Sequence, residues 1–144
     1  MPTPQETAGD AFIGREEDTA AVARILVIDD EPDVRWVLRL SLERAGHEVI
    51  MAEDGLRGVA MAQRQRPDVI VLDLMMPVMD GYGVLEALGR DDRTNHLPVL
   101  VLTAKALPEE QERVTEAGAR GFMTKPFEPS DLASTLEGML SGAA

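Results

Sequence analysis

The chain has 144 residues, enough for one domain of ordinary size and little more. Its 26 Asp and Glu against 14 Lys and Arg give a formal net charge of -12, which excludes ordinary nucleic-acid binding through a basic face and docking on an anionic membrane. With 44% hydrophobic residues, no cysteine, no basic and apolar leader in MPTPQETAGD and no apolar run near the ~20 residues of a membrane span, the sequence reads as a soluble cytoplasmic protein without disulfides or thiolate metal sites.

Residues 1–23 contain five acids (Glu6, Asp10, Glu16, Glu17, Asp18), one base (Arg15) and scattered apolar positions. They read as an acidic, disordered tail, with a short helix expected around Glu16–Ala23. From Arg24 the pattern becomes regular. ILVI (25–28) predicts the first strand. Val34, Val37, Leu38, Ser41, Leu42 and Ala45 then form a helical stripe ending at Gly46. EVIM (48–51) is the second strand, and Leu56, Val59, Ala60 and Gln63 mark a helix after Asp54–Gly55. VIVL (69–72) is the third strand. Asp80–Gly81 reads as turn chemistry, and Val84, Leu85 and Leu88 define a short third helix. VLVL (99–102) is followed by a fourth helix holding Val114 and Ala117, with Pro108 in its first turn. GFM (121–123) and a helix with Leu132, Ala133, Leu136 and Leu140, starting near Ser130 or Asp131, complete the series. Continuous rather than alternating apolar runs suit parallel strands buried on both faces. Residues 24–144 are thus expected to form one α/β domain, a doubly wound five-stranded parallel sheet.

In such folds ligands bind outside the carboxyl ends of the strands. Those ends carry Asp29-Asp30-Glu31, Asp73, Thr103 and Thr124-Lys125-Pro126. Three acids after the first strand would repel a phosphate, where a dinucleotide fold would need a glycine-rich turn. Neither G-x-x-x-x-G-K-[ST] nor G-x-S-x-G occurs. Converging carboxylates raise one another's pKa, and a hard divalent cation such as Mg²⁺ relieves that crowding. A cation beside a free carboxylate, a hydroxyl and a lysine meets the needs of phosphoryl transfer. The carboxylate attacks phosphorus while the other groups share the charge of the equatorial oxygens.

Asp29-Asp30, Asp73, Thr103, Lys125-Pro126-Phe127 and the loop DLMMPVMDG (73–81) together resemble the receiver domain of bacterial two-component response regulators, over roughly residues 24–140. The resemblance is to chemotaxis-regulator-like, single-domain receivers. It implies a (βα)5 flavodoxin-like fold with strand order 2-1-3-4-5. It implies that Asp73 accepts a phosphoryl group from a sensor histidine kinase or a histidine phosphotransfer protein. Mg²⁺ would be held mainly by Asp30 and Asp73, with Asp29 acting through water and the Met75 carbonyl as a further ligand. Thr103 would hydrogen-bond the phosphoryl oxygen, Lys125 would pair with it across a cis Lys125–Pro126 bond, and Phe122 would be the aromatic switch that follows Thr103. The protein would be a regulatory phosphoacceptor that promotes its own phosphorylation and dephosphorylation, not an enzyme acting on a separate substrate.

Other readings stand beside these. One of Asp30 and Glu31 is expected to cap the first helix. Taken alone, Thr103 is a turn residue, Lys125 a solvated lysine and Phe122 a core aromatic. Trp36 either packs with Leu40 along the helix flank or joins Val34 and Val37 in a kinase-docking surface. His47 and His96 stand alone and are offered no role. Met75 and Lys105, flanking the pocket, offer no carboxylate or amide to orient water, so the aspartyl phosphate is expected to be long-lived. The fourth helix carries Glu109, Glu110, Glu112 and Glu116 against Arg113, and 126–144 holds no Lys or Arg, which disfavours a salt-bridged dimer and predicts a monomer or weak dimer. No output domain follows in this chain, so it is expected either to act alone, switching contacts with a downstream protein, or to be a receiver cut from a longer regulator. The alternatives are a haloacid dehalogenase-type phosphatase, which needs a second acid where Met75 stands, and a degenerate receiver that binds partners without phosphorylation.

Overall fold

The structure is a computed structural model whose described residues are 22–104 and 107–141. The expected tail and its short helix lie outside them except for Val22 and Ala23, as does Lys105. Ala23 is already buried and belongs to the fold.

Five strands alternate with five helices: β1 (Arg24–Ile28), α1 (Pro32–Arg44), β2 (Glu48–Ala52), α2 (Gly55–Gln65), β3 (Val69–Asp73), α3 (Gly81–Gly89), β4 (Val99–Thr103), α4 (Pro108–Glu116), β5 (Gly121–Thr124) and α5 (Pro129–Leu140). All strand pairs are parallel, in the order β2-β1-β3-β4-β5. This is the doubly wound sheet expected from the apolar runs, with the strand order 2-1-3-4-5 that the resemblance implied. No described helix is long and apolar enough to cross a membrane.

The two-residue side-chain alternation of a strand divides each apolar run between two cores. Leu26, Ile28, Ile70, Leu72, Val99 and Val101 face a cluster with Ala62 of α2, Val84, Leu85 and Leu88 of α3 and Val114 of α4. Ile25, Val27, Val69, Val71, Leu100 and Leu102 face the other, with Leu38 and Leu42 of α1 and Leu132 and Leu136 of α5. Both faces of β1, β3 and β4 are therefore covered, which is why their sequences show no polar alternation.

The helix faces depart from the apolar stripes at three places. Val37, Leu56 and Ala117 are exposed. In α2 the buried residues are Gly55, Gly58 and Ala62 instead of a stripe led by Leu56. A Cβ on Gly58 would lie 2.5 Å from Ile28 Cδ1. The helix thus buries its backbone directly against β1, and small residues mark its inner face. Gly58→Val is expected to destabilise the fold by about 2–3 kcal/mol through overpacking. Gly138→Ala, where no atom lies within 4 Å, should instead be neutral or stabilise by up to ~1 kcal/mol. Urea unfolding of the two variants checks the contrast in sign.

Candidate functional site

The parallel register brings the carboxyl ends of four strands to one edge. Asp73 ends β3 and pairs with Leu102, so Thr103 stands one residue beyond it on β4; Thr103 in turn pairs with Thr124, next to Lys125. On the other side of β3, β1 ends at Ile28 opposite Leu72, and Asp29 and Asp30 follow. Carboxylate oxygens of Asp29, Asp30 and Asp73 lie within 4.8 Å of one another.

Local bonding fixes each group. Asp29, only 2% exposed, donates its N–H to the Ala52 carbonyl at 3.2 Å and accepts the Glu31 N–H on Oδ1 at 2.9 Å. Arg35 Nη1 reaches back from α1 to the Asp29 carbonyl at 2.7 Å. The expected cap by Asp30 or Glu31 does not form. Glu31 occupies the N-cap position without a side-chain cap bond, and Pro32 starts the helix with no N–H to satisfy. Asp29 bonds the Glu31 amide instead.

Lys125 enters from the end of β5 through a cis Lys125–Pro126 bond, as the resemblance implied. Its N–H donates to the Thr103 carbonyl at 2.8 Å. Its Nζ lies 3.1 Å from Asp29 Oδ2, 3.5 Å from Asp73 Oδ1 and 3.9 Å from Glu31 Oε1. The solvated-lysine alternative is therefore set aside. Asp30, Glu31, Asp73, Met75, Ala104 and Lys125 line a cleft of about 300 Å³.

The electrostatics follow from this crowding. Burial, then the Asp29 charge, push the Asp73 carboxyl up from 3.8 to about 6, with Asp30 adding to the rise; Lys125 and the Met75 N–H, which donates to Oδ1 at 3.4 Å, oppose it. Burial works against the Lys125 ammonium, but Asp29, Asp73 and Glu31 outweigh it and raise its pKa. One lysine leaves three crowded carboxylates undercompensated. That donor set, all oxygen and partly open to a cleft, fits a hard divalent cation.

Residues 25–137 match the response regulator receiver domain family. The chain belongs to that family. It is 40% identical over 117 residues to a DNA-binding dual master transcriptional regulator, RpaA, of Synechocystis sp., covering 81% of this chain and 48% of that protein. It is 36% identical over 121 residues to the protein PilH of Pseudomonas aeruginosa, covering 84% of this chain and 100% of that one. The chain thus spans about half the length of RpaA and all of PilH. Among solved structures, the receiver domain of a sensor histidine kinase from Pseudomonas aeruginosa, with a magnesium ion coordinated in its active-site cleft, is 31% identical. That match has a TM-score of 0.76 and covers 83% of this chain and 98% of that one. Receiver domains act in two-component signalling, interact with histidine kinases or phosphotransfer proteins, and bind Mg²⁺ at an acidic pocket.

In this receiver the remaining candidates fall as follows. Thr103 is fully buried at the end of β4. Phe122 is half-buried on β5 and packs against the α2–α3–α4 core, so it is not an enclosed core aromatic. The edge position of β5, half-buried throughout, explains that. Met75 is 57% exposed at the cleft rim. Trp36, Val37 and Leu40 are exposed on α1. Asp80 caps α3 by accepting the Gly83 N–H at 3.0 Å, as turn chemistry predicted.

Three contacts escaped the sequence. Glu31 belongs to the cleft and to Lys125, which the acidic run 29–31 could have signalled. His47 does not stand alone: it is buried, accepts the Ala23 N–H on Nδ1 at 3.2 Å, and sets Nε2 3.6 Å from Glu137 of α5. Tyr82 of α3 donates its hydroxyl to Glu110 of α4, with Arg113 4.2 Å over its ring. Burial and that carboxylate push the Tyr82 hydroxyl up to about 12. No local pattern announces a pair 28 residues apart.

Proposed function

We propose that this receiver is a phosphorylation-driven switch in which Asp73 accepts a phosphoryl group from the phosphohistidine of a sensor histidine kinase or histidine phosphotransfer protein. The observation that carries this is the buried Asp73 carboxylate at the floor of the acidic cleft, flanked by Asp29 and Lys125. An Asp73 oxygen forms the new P–O bond as the P–N bond to the donor histidine breaks, and the nitrogen leaves with its electron pair. Lys125 Nζ, already within 3.5 Å of Asp73 Oδ1, pairs with a phosphoryl oxygen, and the Thr103 hydroxyl hydrogen-bonds another. Asp30, Asp73 and the Met75 carbonyl would hold Mg²⁺, and Asp29, whose carboxylate accepts the Glu31 N–H and pairs with Lys125, would act through water. The cation supplies neutralisation of the charge gathering on the phosphoryl oxygens.

Movement of Thr103 and Phe122 then changes what α4, β5 and α5 bind, and the target is a protein. This is regulation, with the chain's own aspartate as substrate. The acidic face of α4 and α5 opposes a salt-bridged dimer, so the receiver works as a monomer or weak dimer, and a cytoplasmic location goes with that reading. Met75 at the rim offers no group to orient water, which favours a long-lived aspartyl phosphate.

Intact mass after incubation with Mg²⁺ and acetyl phosphate tests the proposal. One added phosphoryl group, absent when EDTA replaces Mg²⁺, is expected. Steady turnover of the phosphodonor would favour a phosphatase, and no addition from any donor would favour a phosphorylation-independent interaction module.

A further inference from the structure

Helix α1 sends Leu38 and Leu42 into the core and leaves Asp33, Trp36, Val37, Leu40 and Arg44 exposed. Counted from Asp33, the exposed positions follow an i, i+3, i+4, i+7, i+11 spacing, so they form one stripe along the outer side of the helix. Trp36 is 57% exposed, Val37 48% and Leu40 38%. Single apolar residues at a surface are ordinary, whereas an unbroken apolar centre bounded by charges has the anatomy of a contact surface.

The two bounding charges are opposite. Asp33 stands in the first turn and Arg44 in the last, where the helix dipole favours each. Among the described residues neither makes an ion pair or a side-chain hydrogen bond, while Arg39 and Glu43 between them satisfy each other at 3.0 Å. The dipole accounts for the two charges singly; it does not account for the apolar stripe that joins them.

Two-fold symmetry makes this stripe complementary to itself. When two copies of α1 lie antiparallel about an axis between positions 38 and 39, Asp33 of one copy faces Arg44 of the other, twice. Val37 then faces Leu40, also twice, and Trp36 packs beside the centre. A parallel pairing would set Asp33 against Asp33 and Arg44 against Arg44, so charge selects the antiparallel arrangement. The local balance permits the approach: α1 carries three arginines against two acids in a chain of net charge -12. The glutamates of α4 stay outside the contact, because Val114 of α4 packs on the opposite face of the sheet from Leu38 and Leu42.

We infer that the outer stripe of α1, from Asp33 to Arg44, is the surface through which two copies of this receiver associate as an antiparallel helix pair, an inference independent of the chemistry at Asp73. Three apolar side chains per copy make a small contact, and the net charge of each copy opposes it at long range. The dimer is therefore of the weak, transient class, with Kd on the order of 10–100 µM. Its geometry leaves α4 open to a target in both the single and the paired state.

Sedimentation equilibrium of the full chain, from about 5 to about 500 µM, brackets that Kd and tests the inference. Trp36 is the only tryptophan, so its emission reports on the stripe itself and should move to shorter wavelength over the range in which the mass rises. Asp33→Lys and Arg44→Glu each set like charges face to face and should weaken association roughly tenfold. The double variant restores opposite charges with their signs exchanged and should return Kd to within about threefold of wild type. Val37→Gln, at an exposed position, should weaken association and leave the thermal midpoint unchanged. A wild type that stays monomeric overturns the inference and leaves the stripe to a different protein. A dimer whose Trp36 emission does not move, or that is indifferent to both single charge changes, places the contact elsewhere and overturns it as well. A folded double variant no tighter than the single ones removes the antiparallel pairing; if the double variant does not fold, unchanged association in Val37→Gln is the overturning result.

Discussion

Asp73→Asn is expected to abolish phosphoryl uptake and, in metal-free solution at neutral pH, to yield a more stable protein. Loss of uptake follows from removing the attacking oxygen, since a neutral amide is not a nucleophile toward phosphorus. The gain in stability follows from linkage. The folded carboxyl titrates at about 6 against 3.8 in its unperturbed state, so the native protein binds this proton more tightly than the unfolded chain does. The corresponding stability is complete below about pH 4 and is lost as pH rises through 6, costing wild type on the order of 3 kcal/mol at pH 7.5. Asn cannot ionise and escapes that loss. Urea unfolding in EDTA from pH 3.5 to 8 should therefore show the two proteins diverging from about pH 4 through pH 6 and running parallel above pH 7. Coincident curves across that range would remove the physical basis for a strained acceptor. Saturating Mg²⁺ should stabilise wild type by RT ln(1 + [L]/Kd) and the variant much less, closing the gap.

The same crowding explains which parts of this receiver were legible in its sequence. The strands were, to within a residue, because β1, β3 and β4 are covered on both faces and their apolar runs are unbroken. Asp29, Asp30, Asp73, Thr103 and Lys125 were legible for a related reason: parallel strands put their carboxyl ends on one edge, so strand-final polar residues must meet. Helix faces were less so. A stripe of large side chains predicts packing by side chain, whereas α2 packs through Gly55, Gly58 and Ala62 and turns Leu56 to solvent. Capping misled for another reason, since the bond to the Glu31 amide comes from Asp29, outside the helix. The Tyr82–Glu110 and His47–Glu137 contacts depend on how α3 meets α4 and how the start of β2 meets α5, and tertiary packing alone decides that. At Val78 local chemistry conflicts with conformation outright. A glycine-type φ occupied by valine cannot be read from the sequence without knowing the turn, and such local conflicts concentrate where function constrains the chain.

Lys125→Met is expected to act in opposite directions on the metal-free fold and on Mg²⁺ binding. Among the described residues Lys125 is the only cation whose side chain ion-pairs with Asp29 or Asp73. Removing one member of a buried pair leaves the other charge uncompensated, and here two carboxylates lose their partner at once. The Asp73 carboxyl would then move further above 6, because burial and Asp29 raise it and the largest opposing influence has gone. The ammonium is nearly enclosed, 18% exposed, so solvent screening discounts the loss only partly, and metal-free stability at pH 7.5 should fall by about 2–4 kcal/mol. Yet the same ammonium repels an incoming cation and competes with it for the Asp73 carboxylate. Without it, Mg²⁺ affinity should rise by roughly tenfold, the equivalent of ~1.4 kcal/mol. The variant should therefore show the lower unfolding midpoint in EDTA, the larger upward shift on adding Mg²⁺, and slower labelling by acetyl phosphate, since no ammonium remains to pair with the phosphoryl oxygens. Mg²⁺ affinity that is unchanged or weaker would mean that lysine and metal do not share Asp73, and the acidic cleft would then have to be read as an ion-pair network with no place for the cation.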